Sequence, residues 1–398
     1  MRSRSVHAGV VTGLVALALG ACGSVGDDGS GESDNAGQAD SGPIKVGLVI
    51  PQSGVYAPLG EDMKAGWDLW LEQHGNKLGG REVQTVVVDE GEGPDTGVPA
   101  VQKALQQEGA DTVVGIVNSA TALGSVEVVN GAKKLLIVAN AGADGLTGAS
   151  KYIWRTSFTN GQVAYAVGKH LATTPEGKKG VYAMAADYAA GEEAIAGFKK
   201  GFEEGGGEIV GEAKTPFGTT QDFQPFLAKA RRSNPGAVFV FYAGAEAVSY
   251  VKQYEEFGLS ESVPLYGSGF LTEGGVLTAQ GAAADGVHTA LHYATALDNA
   301  ANKSFAEAYE AKTGKPPTVY AVQAWDSAAV LDAAVKEAGA LEGDALAEAL
   351  GTLGEIADSP RGPWTFEQQS PAQEMYLREV RDEANAVVDS LGSVPPKP

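Results

Sequence analysis

An α/β architecture of two similar units is predicted from residue 44 onward, and three observations carry it. Short runs rich in Val, Ile and Leu alternate with stretches of helical period. Four such runs precede residue 140, and the alternation begins again near residue 180. Near-continuous apolar strands are those of a parallel sheet covered on both faces. Right-handed crossovers fold a βαβαβαβ order into a doubly wound sheet.

The elements follow in order. The run 44–50 is a strand, and Pro51 stops it. Met63, Trp67, Trp70 and Leu71 recur at helical spacing across 61–74, so one helix face packs on a sheet and both tryptophans belong to the core. Strands 83–88, 112–117 and 135–139 alternate with helices 98–107 and 120–132. The segment 154–161 joins the first unit to the second. There, strands 180–185, 208–213, 237–242 and 263–266 alternate with helices 192–204, 223–231 and 246–257. Helices 303–312, 320–338 and 344–350 follow, then two short strands, 363–366 and 374–380. The chain thus returns to complete the first lobe and then the second, which makes a multi-strand hinge. The expected division is 44–158 with 287–366 as lobe 1, 159–286 with 367–392 as lobe 2, and 393–398 as a flexible tail.

The start of the chain reads as an address. Arg2 and Arg4 precede twelve apolar or small residues, Ala8 to Leu19, and Leu19-Gly20-Ala21-Cys22 follows. That run is shorter than the ~20 residues of a membrane-spanning helix, so residues 1–21 are expected to be a cleaved signal peptide. Cys22 is the only cysteine and forms no internal disulfide. Residues 23–42 hold no Lys or Arg and almost nothing apolar, the composition of a solvated tether.

About 355 residues remain, enough for two domains. The net charge of −21 argues against nucleic acid and anionic lipid as partners and favours a soluble monomer. There is no G-x-S-x-G, no H-E-x-x-H and no cysteine-paired metal site. His288 and His292 lie four apart, but in a strand, where they sit well separated along one face. The loop 51–60 after the first strand lacks the G-x-G-x-x-G of dinucleotide binding. These absences point from catalysis toward binding, with no cofactor and no metal.

That same loop carries a family resemblance. Ile44 to Gly54, followed by Tyr56 and Leu59-Gly60, resembles the opening of leucine/isoleucine/valine-type solute-binding proteins of ABC importers. Leu78-Gly79-Gly80-Arg81, Val114 to Ser119, Tyr152 to Thr156, Asp187 to Gly191 and Pro316 to Tyr320 match in order and spacing. The resemblance implies two doubly wound lobes joined by a three-crossover hinge, the type I periplasmic binding protein fold. It implies a ligand trapped between the lobes and handed to a membrane permease. The Cys22 segment resembles a bacterial lipobox, so a lipid on Cys22 would anchor the protein outside the cytoplasm. The Ala- and Gly-rich composition with a lipobox suggests a Gram-positive envelope.

The resemblance also implies site residues. Ser53-Gly54 and Tyr56 follow the first strand, and Asn118-Ser119 end another, with the Ser119 hydroxyl on a ligand carboxylate. Ser119 alternatively caps the next helix, and Tyr56 is alternatively a packed turn residue. Asn140-Ala141-Gly142, Tyr188, Tyr242 and Gly244, and Ser268-Gly269-Phe270 complete the set, although Tyr242 is equally a core residue.

Two departures bear on the ligand. Gly142 stands where the family has a threonine, and Gly269 where it has an acid for the ligand's ammonium. A buried ammonium without a carboxylate is costly. Asn140 to Asp144 is similar to the branch that binds aromatic acids such as benzoate derivatives, with Tyr56, Tyr188, Tyr242 and Phe270 as flat walls. A branched-chain amino acid comes next, with Asp144 or Glu246 then holding the ammonium. A sensory receptor built on the same fold is the alternative role; such a receptor usually carries a fused membrane helix and output domain, and neither is expected from this sequence.

Overall fold

The computed structural model describes residues 42–398; the expected signal peptide, Cys22 and nearly all of the tether lie outside the described residues. Two sheets form the frame, each from the alternation read above. The first has six strands in the order β2-β3-β1-β4-β5-β6: β1 (Ile44–Ile50), β2 (Lys77–Leu78), β3 (Arg81–Asp89), β4 (Thr112–Gly115), β5 (Leu135–Val138) and β6 (Ile153–Arg155). All its pairings are parallel except that of β2 with β3. The helices α1 (Ala57–Gln73), α2 (Pro94–Gln106), α3 (Ser119–Gly124) and α4 (Val126–Ala132) connect them.

The chain then crosses over at 156–159. The helix α5 (Asn160–Thr173) opens the second lobe with a capping box: the Thr159 hydroxyl accepts from the Gln162 N–H, and the Gln162 side chain accepts from the Thr159 N–H. Parallel strands β7 (Val181–Asp187), β8 (Ile209–Pro216), β9 (Ala237–Phe241), β10 (Leu265–Ser268) and β11 (His288–Leu291) follow. Between them lie α6 (Ala189–Glu204), α7 (Gln224–Arg232), α8 (Gly244–Glu256) and α9 (Gly275–Gln280).

A second crossover returns to lobe 1, where α10 (Ala300–Thr313) and α11 (Val319–Ala338) pack on α1, and α12 (Gly343–Thr352) packs on α11 and β5. Gly66 permits the close crossing of α1 and α11, because a Cβ there would lie 2.1 Å from the Ala321 carbonyl oxygen. A third crossover leads to β12 (Glu355–Ile356), β13 (Trp364–Glu367), β14 (Ser370–Arg381) and β15 (Ala384–Val394). These extend the second sheet to nine strands through the antiparallel pair β11–β14.

The fold class is the expected one, with two corrections to its division. Residues 288–291, 355–356 and 364–366, assigned above to lobe 1, are strand residues of the second sheet, since β11 pairs with β10, β12 with β13 and β13 with β14. Lobe 1 therefore regains only the helices α10 to α12. The expected flexible tail is packed: Val394 pairs with Gln373, the Thr159 hydroxyl donates to the Pro396 carbonyl (2.8 Å), and Lys397 donates to the Thr147 carbonyl (3.0 Å).

Buried arginines knit the crossovers. Arg361 sits 2.7 Å from Asp326 of α11, both almost wholly enclosed, and also donates to the Thr156 and Ser157 carbonyls. It thereby links the first and third crossovers. Arg378 of β14 pairs with Glu273 at 2.8 Å and donates to the carbonyls of Gly269 and Tyr293.

Candidate functional site

The carboxyl ends of the parallel strands of both lobes face one another, the position where open α/β sheets bind ligands. Between them lies a cavity of about 330 Å³. Each strand contributes its following loop: Tyr56 after β1, Glu92-Gly93 after β3, Val117 to Ala120 after β4, and Asn140 and Gly142 after β5. Lobe 2 supplies Tyr188 to Ala190 after β7, Phe217 after β8, Phe241 and Ala243 at the end of β9, and Phe270 after β10. The first crossover adds Phe158, the start of α5 adds Asn160, and α11 adds Tyr320. The lobes touch around this space. The segment 54–56 meets α8, and Glu193 of α6 accepts from the Asp144 N–H of lobe 1 (3.1 Å) and the Asn160 side-chain amide (2.8 Å).

The walls are aromatic. Phe158 lies against Phe270 with ring centroids 4.7 Å apart, and Tyr188 stacks on Phe217 at 4.1 Å and 17°. Phe217 is 44% exposed, which places this stack at the cavity mouth. Burial, then the neighbouring phenol of Tyr56, drives the Tyr188 phenol above its ordinary pKa. Burial does the same to Tyr56, with Glu246, Glu90 and Glu92 adding to it, and to Tyr320. All three rings therefore stay neutral, each with an O–H to donate.

Among the described residues, no lysine or arginine lines the cavity. An anion would instead meet helix N-termini. Tyr188 precedes α6 without a side-chain cap, so the first amides of that sixteen-residue helix, at Ala189 and Ala190, open at the cavity. Asn118 caps α3 by accepting from the Thr121 N–H (3.0 Å) and donates to the Glu92 carbonyl (3.2 Å). That settles the capping question: Asn118 holds the cap, and Ser119 remains at the wall.

Of the residues singled out in the sequence, Tyr56, Asn118, Ser119, Asn140, Gly142, Tyr188 and Phe270 come together in this lining. The others do not. Ser53 donates to Asp89 (2.7 Å), and Ser53 and Gly54 border a separate shallow depression. Ala141 is buried in the lobe 1 core. Tyr242 is a core residue: its ring packs edge-on to Phe223 and stacks on Tyr250, and its hydroxyl meets Thr215. Gly244 starts α8 at a φ of 56° outside the lining, and Ser268 is buried in β10. Gly269 cannot carry an acid toward a ligand, because a Cβ there would meet Leu291 at 2.6 Å and Arg378 at 2.7 Å.

The proposed substitutes for that acid are occupied elsewhere. Asp144 accepts from the Gly161 N–H (3.0 Å) and Glu246 from the Gly218 N–H (2.8 Å); neither lines the cavity. Glu92, the one acid among the described lining residues, lays its carboxylate where a Gly54 side chain would stand. Sequence reading missed Phe158, Asn160, Phe217, Phe241 and Tyr320. The first two lie in the expected joining segment, while Tyr320 opens a helix whose register alone does not reveal a ligand face.

Two α/β lobes, three crossovers and a cavity at the shared carboxyl edge define a solute-binding receptor. The chain belongs to the periplasmic binding protein family, whose profile matches residues 43–385. It is similar to the solute-binding protein of an ABC transporter from R. palustris solved with benzoate: 38% identity, TM-score 0.82, covering 89% of this chain and 97% of that one. A solute-binding protein from Rhodopseudomonas palustris BisB5, in complex with 3,4-dihydroxybenzoic acid, is 32% identical at the same TM-score, covering 89% and 98%. Leu/Ile/Val-binding protein homolog 6 of Brucella melitensis is 32% identical over 348 residues, 85% of this chain and 87% of its own length. The protein is thus an extracytoplasmic solute-binding component of an ABC transporter.

Proposed function

We propose that the protein captures a small aromatic carboxylate, of the benzoate class, and delivers it to its permease without chemical change. The observation that carries this reading is the lining itself: seven aromatic rings, uncapped helix amides for a carboxylate, and no acid placed for an ammonium. A flat ring gains from burial between Phe158, Phe270, Tyr188 and Tyr320, and its carboxylate from the α6 amides and Ser119. The similar proteins solved with benzoate and dihydroxybenzoate support the same class. The carboxylate of Glu92 in the lining is turned against Gly54, so a branched-chain amino acid would bury its ammonium without an acid aimed at it, at a cost of several kcal/mol.

Closure of the lobes about the three crossovers would trap the ligand and present a closed form to the permease. Cys22, lipidated, would tether this monomer to the membrane through residues 23–42. Thermal unfolding against benzoate, hydroxybenzoates, leucine and valine tests the ligand. A bound acid at a hundred times its Kd adds about 2.7 kcal/mol to stability. Stabilisation by aromatic acids alone is expected; stabilisation by leucine or valine alone would overturn the assignment.

A further inference from the structure

Glu90 follows β3 and has no exposed surface at all. Its carboxylate accepts two consecutive backbone N–H groups, from Val117 (2.8 Å) and Asn118 (2.9 Å), one on each oxygen. No cation pairs with it among the described residues. The corner it grips is strained. Ile116 is β-branched yet sits at a φ of 68°, a conformation such residues rarely adopt. Gly115 before it, at a φ of 133°, leaves no space for a Cβ, which would lie 2.0 Å from the Val49 carbonyl oxygen.

Both edges of the cavity hang from this corner. Asn118 and Ser119 follow it directly, and the Ile116 carbonyl accepts from the N–H groups of Asn140 (3.2 Å) and Ala141 (3.0 Å). A carboxylate is suited to the task because both its oxygens accept. A protonated acid or an amide turns a donor toward one of the two N–H groups.

We propose that Glu90 is a positioning residue for the ligand: its carboxylate holds the strained 116–118 corner in the shape that presents Ser119 and Asn140 to the cavity. This rests on the interlobe cavity being the ligand site. The titratable groups facing Glu90 are Asp89, the last residue of β3, and Tyr56 from the loop after β1, whose phenol Glu92 and Glu246 also face. Burial lifts the Glu90 carboxyl to about 7, against the pull of the Val117 and Asn118 N–H groups and with a further push from Asp89. Its grip therefore weakens on acidification through neutrality.

Benzoate titration calorimetry between pH 5.5 and 8.5 tests this on the wild-type protein and Glu90→Gln, with amide hydrogen exchange at Val117 and Asn118. Wild-type affinity should fall as pH drops through about 7. Glu90→Gln should bind at least tenfold more weakly at pH 8.5, with a flat profile and faster exchange at both amides. Affinity within twofold of wild type, with the same pH profile, would overturn the proposal. Wild-type protein that binds no aromatic acid would sink the ligand assignment instead. Exchange then decides for Glu90: acceleration supports its role and unchanged rates reject it. If Glu90→Gln does not fold, Glu90→Asp keeps the charge with a shorter reach. It should bind more weakly but retain the pH dependence, and wild-type affinity in that variant would equally reject the proposal.

Discussion

Gly142→Thr restores the side chain the family carries at this position, and the structure predicts that it damages the site. A Cβ at residue 142 would stand 2.4 Å from Phe158 Cε2 and 2.5 Å from Asn160 Oδ1. Carbon atoms in contact normally keep 3.5–4.0 Å, so the Phe158 ring must retreat by about 1 Å. It has little room to do so: it is buried, with Phe270 at 4.7 Å and His292 at 6.0 Å. Overpacking of this kind costs about 1–3 kcal/mol. Phe158 and Asn160 are both cavity wall, so the displacement also reaches the ligand. Benzoate affinity should fall at least tenfold, about 1.4 kcal/mol, by calorimetry, alongside a lowered melting temperature. Wild-type affinity and an unchanged melting temperature would refute the steric argument. Tight leucine binding by the variant would show that the glycine had dismantled an amino-acid grip that one threonine rebuilds.

Other consequences follow from the buried charges and the proposed anchor. Arg361→Met leaves Asp326 enclosed without its partner, a loss of about 3–5 kcal/mol. Thermal unfolding should show it, and adding Asp326→Leu should recover most of it. Between pH 4.5 and about 7 the folded protein keeps a proton on Glu90 that the unfolded chain has lost. Stability from that group is therefore full below 4.5, declines across this window and is gone above it, by up to roughly 3 kcal/mol. The stability difference between wild type and Glu90→Gln should fall over that range in denaturant titrations and stay level above it. Cys22→Ser should release the protein from the membrane fraction into the medium; continued membrane retention would reject lipid anchoring.

The frame was legible because its signals are local. Strands such as 44–50 and 237–241 are unbroken apolar runs, and α1 and α6 carry their core residues at helical spacing. The helix α5 also had a signal, Thr159-x-x-Gln162, which went unread. The last strand lacked one. The hairpin joining β14 to β15 turns on Asp382 and Glu383, both at positive φ, and the one before it turns on Gln368 and Gln369, without the Asn-Gly or Asp-Gly that usually marks such turns. The lobe division failed at β11 because a strand does not declare which sheet it will join. At the site, residues directly after strands were readable from topology, whereas Tyr242 and Gly269 were misplaced. Alternation decides which face of a strand meets the ligand, and a slip of one residue reverses it. Glu90 gave no sequence signal, since its role depends on backbone groups 27 and 28 residues away closing over it.

The central claim, that the interlobe cavity selects an aromatic carboxylate over an amino acid, is tested most directly by titration calorimetry with benzoate and leucine in parallel at pH 8. The account predicts saturable one-to-one binding of benzoate, weakened by Gly142→Thr and Glu90→Gln, with no measurable heat from leucine beyond dilution. Saturable binding of leucine with none of benzoate would contradict it, and would mean that an acid outside the observed lining reaches the ligand's ammonium group.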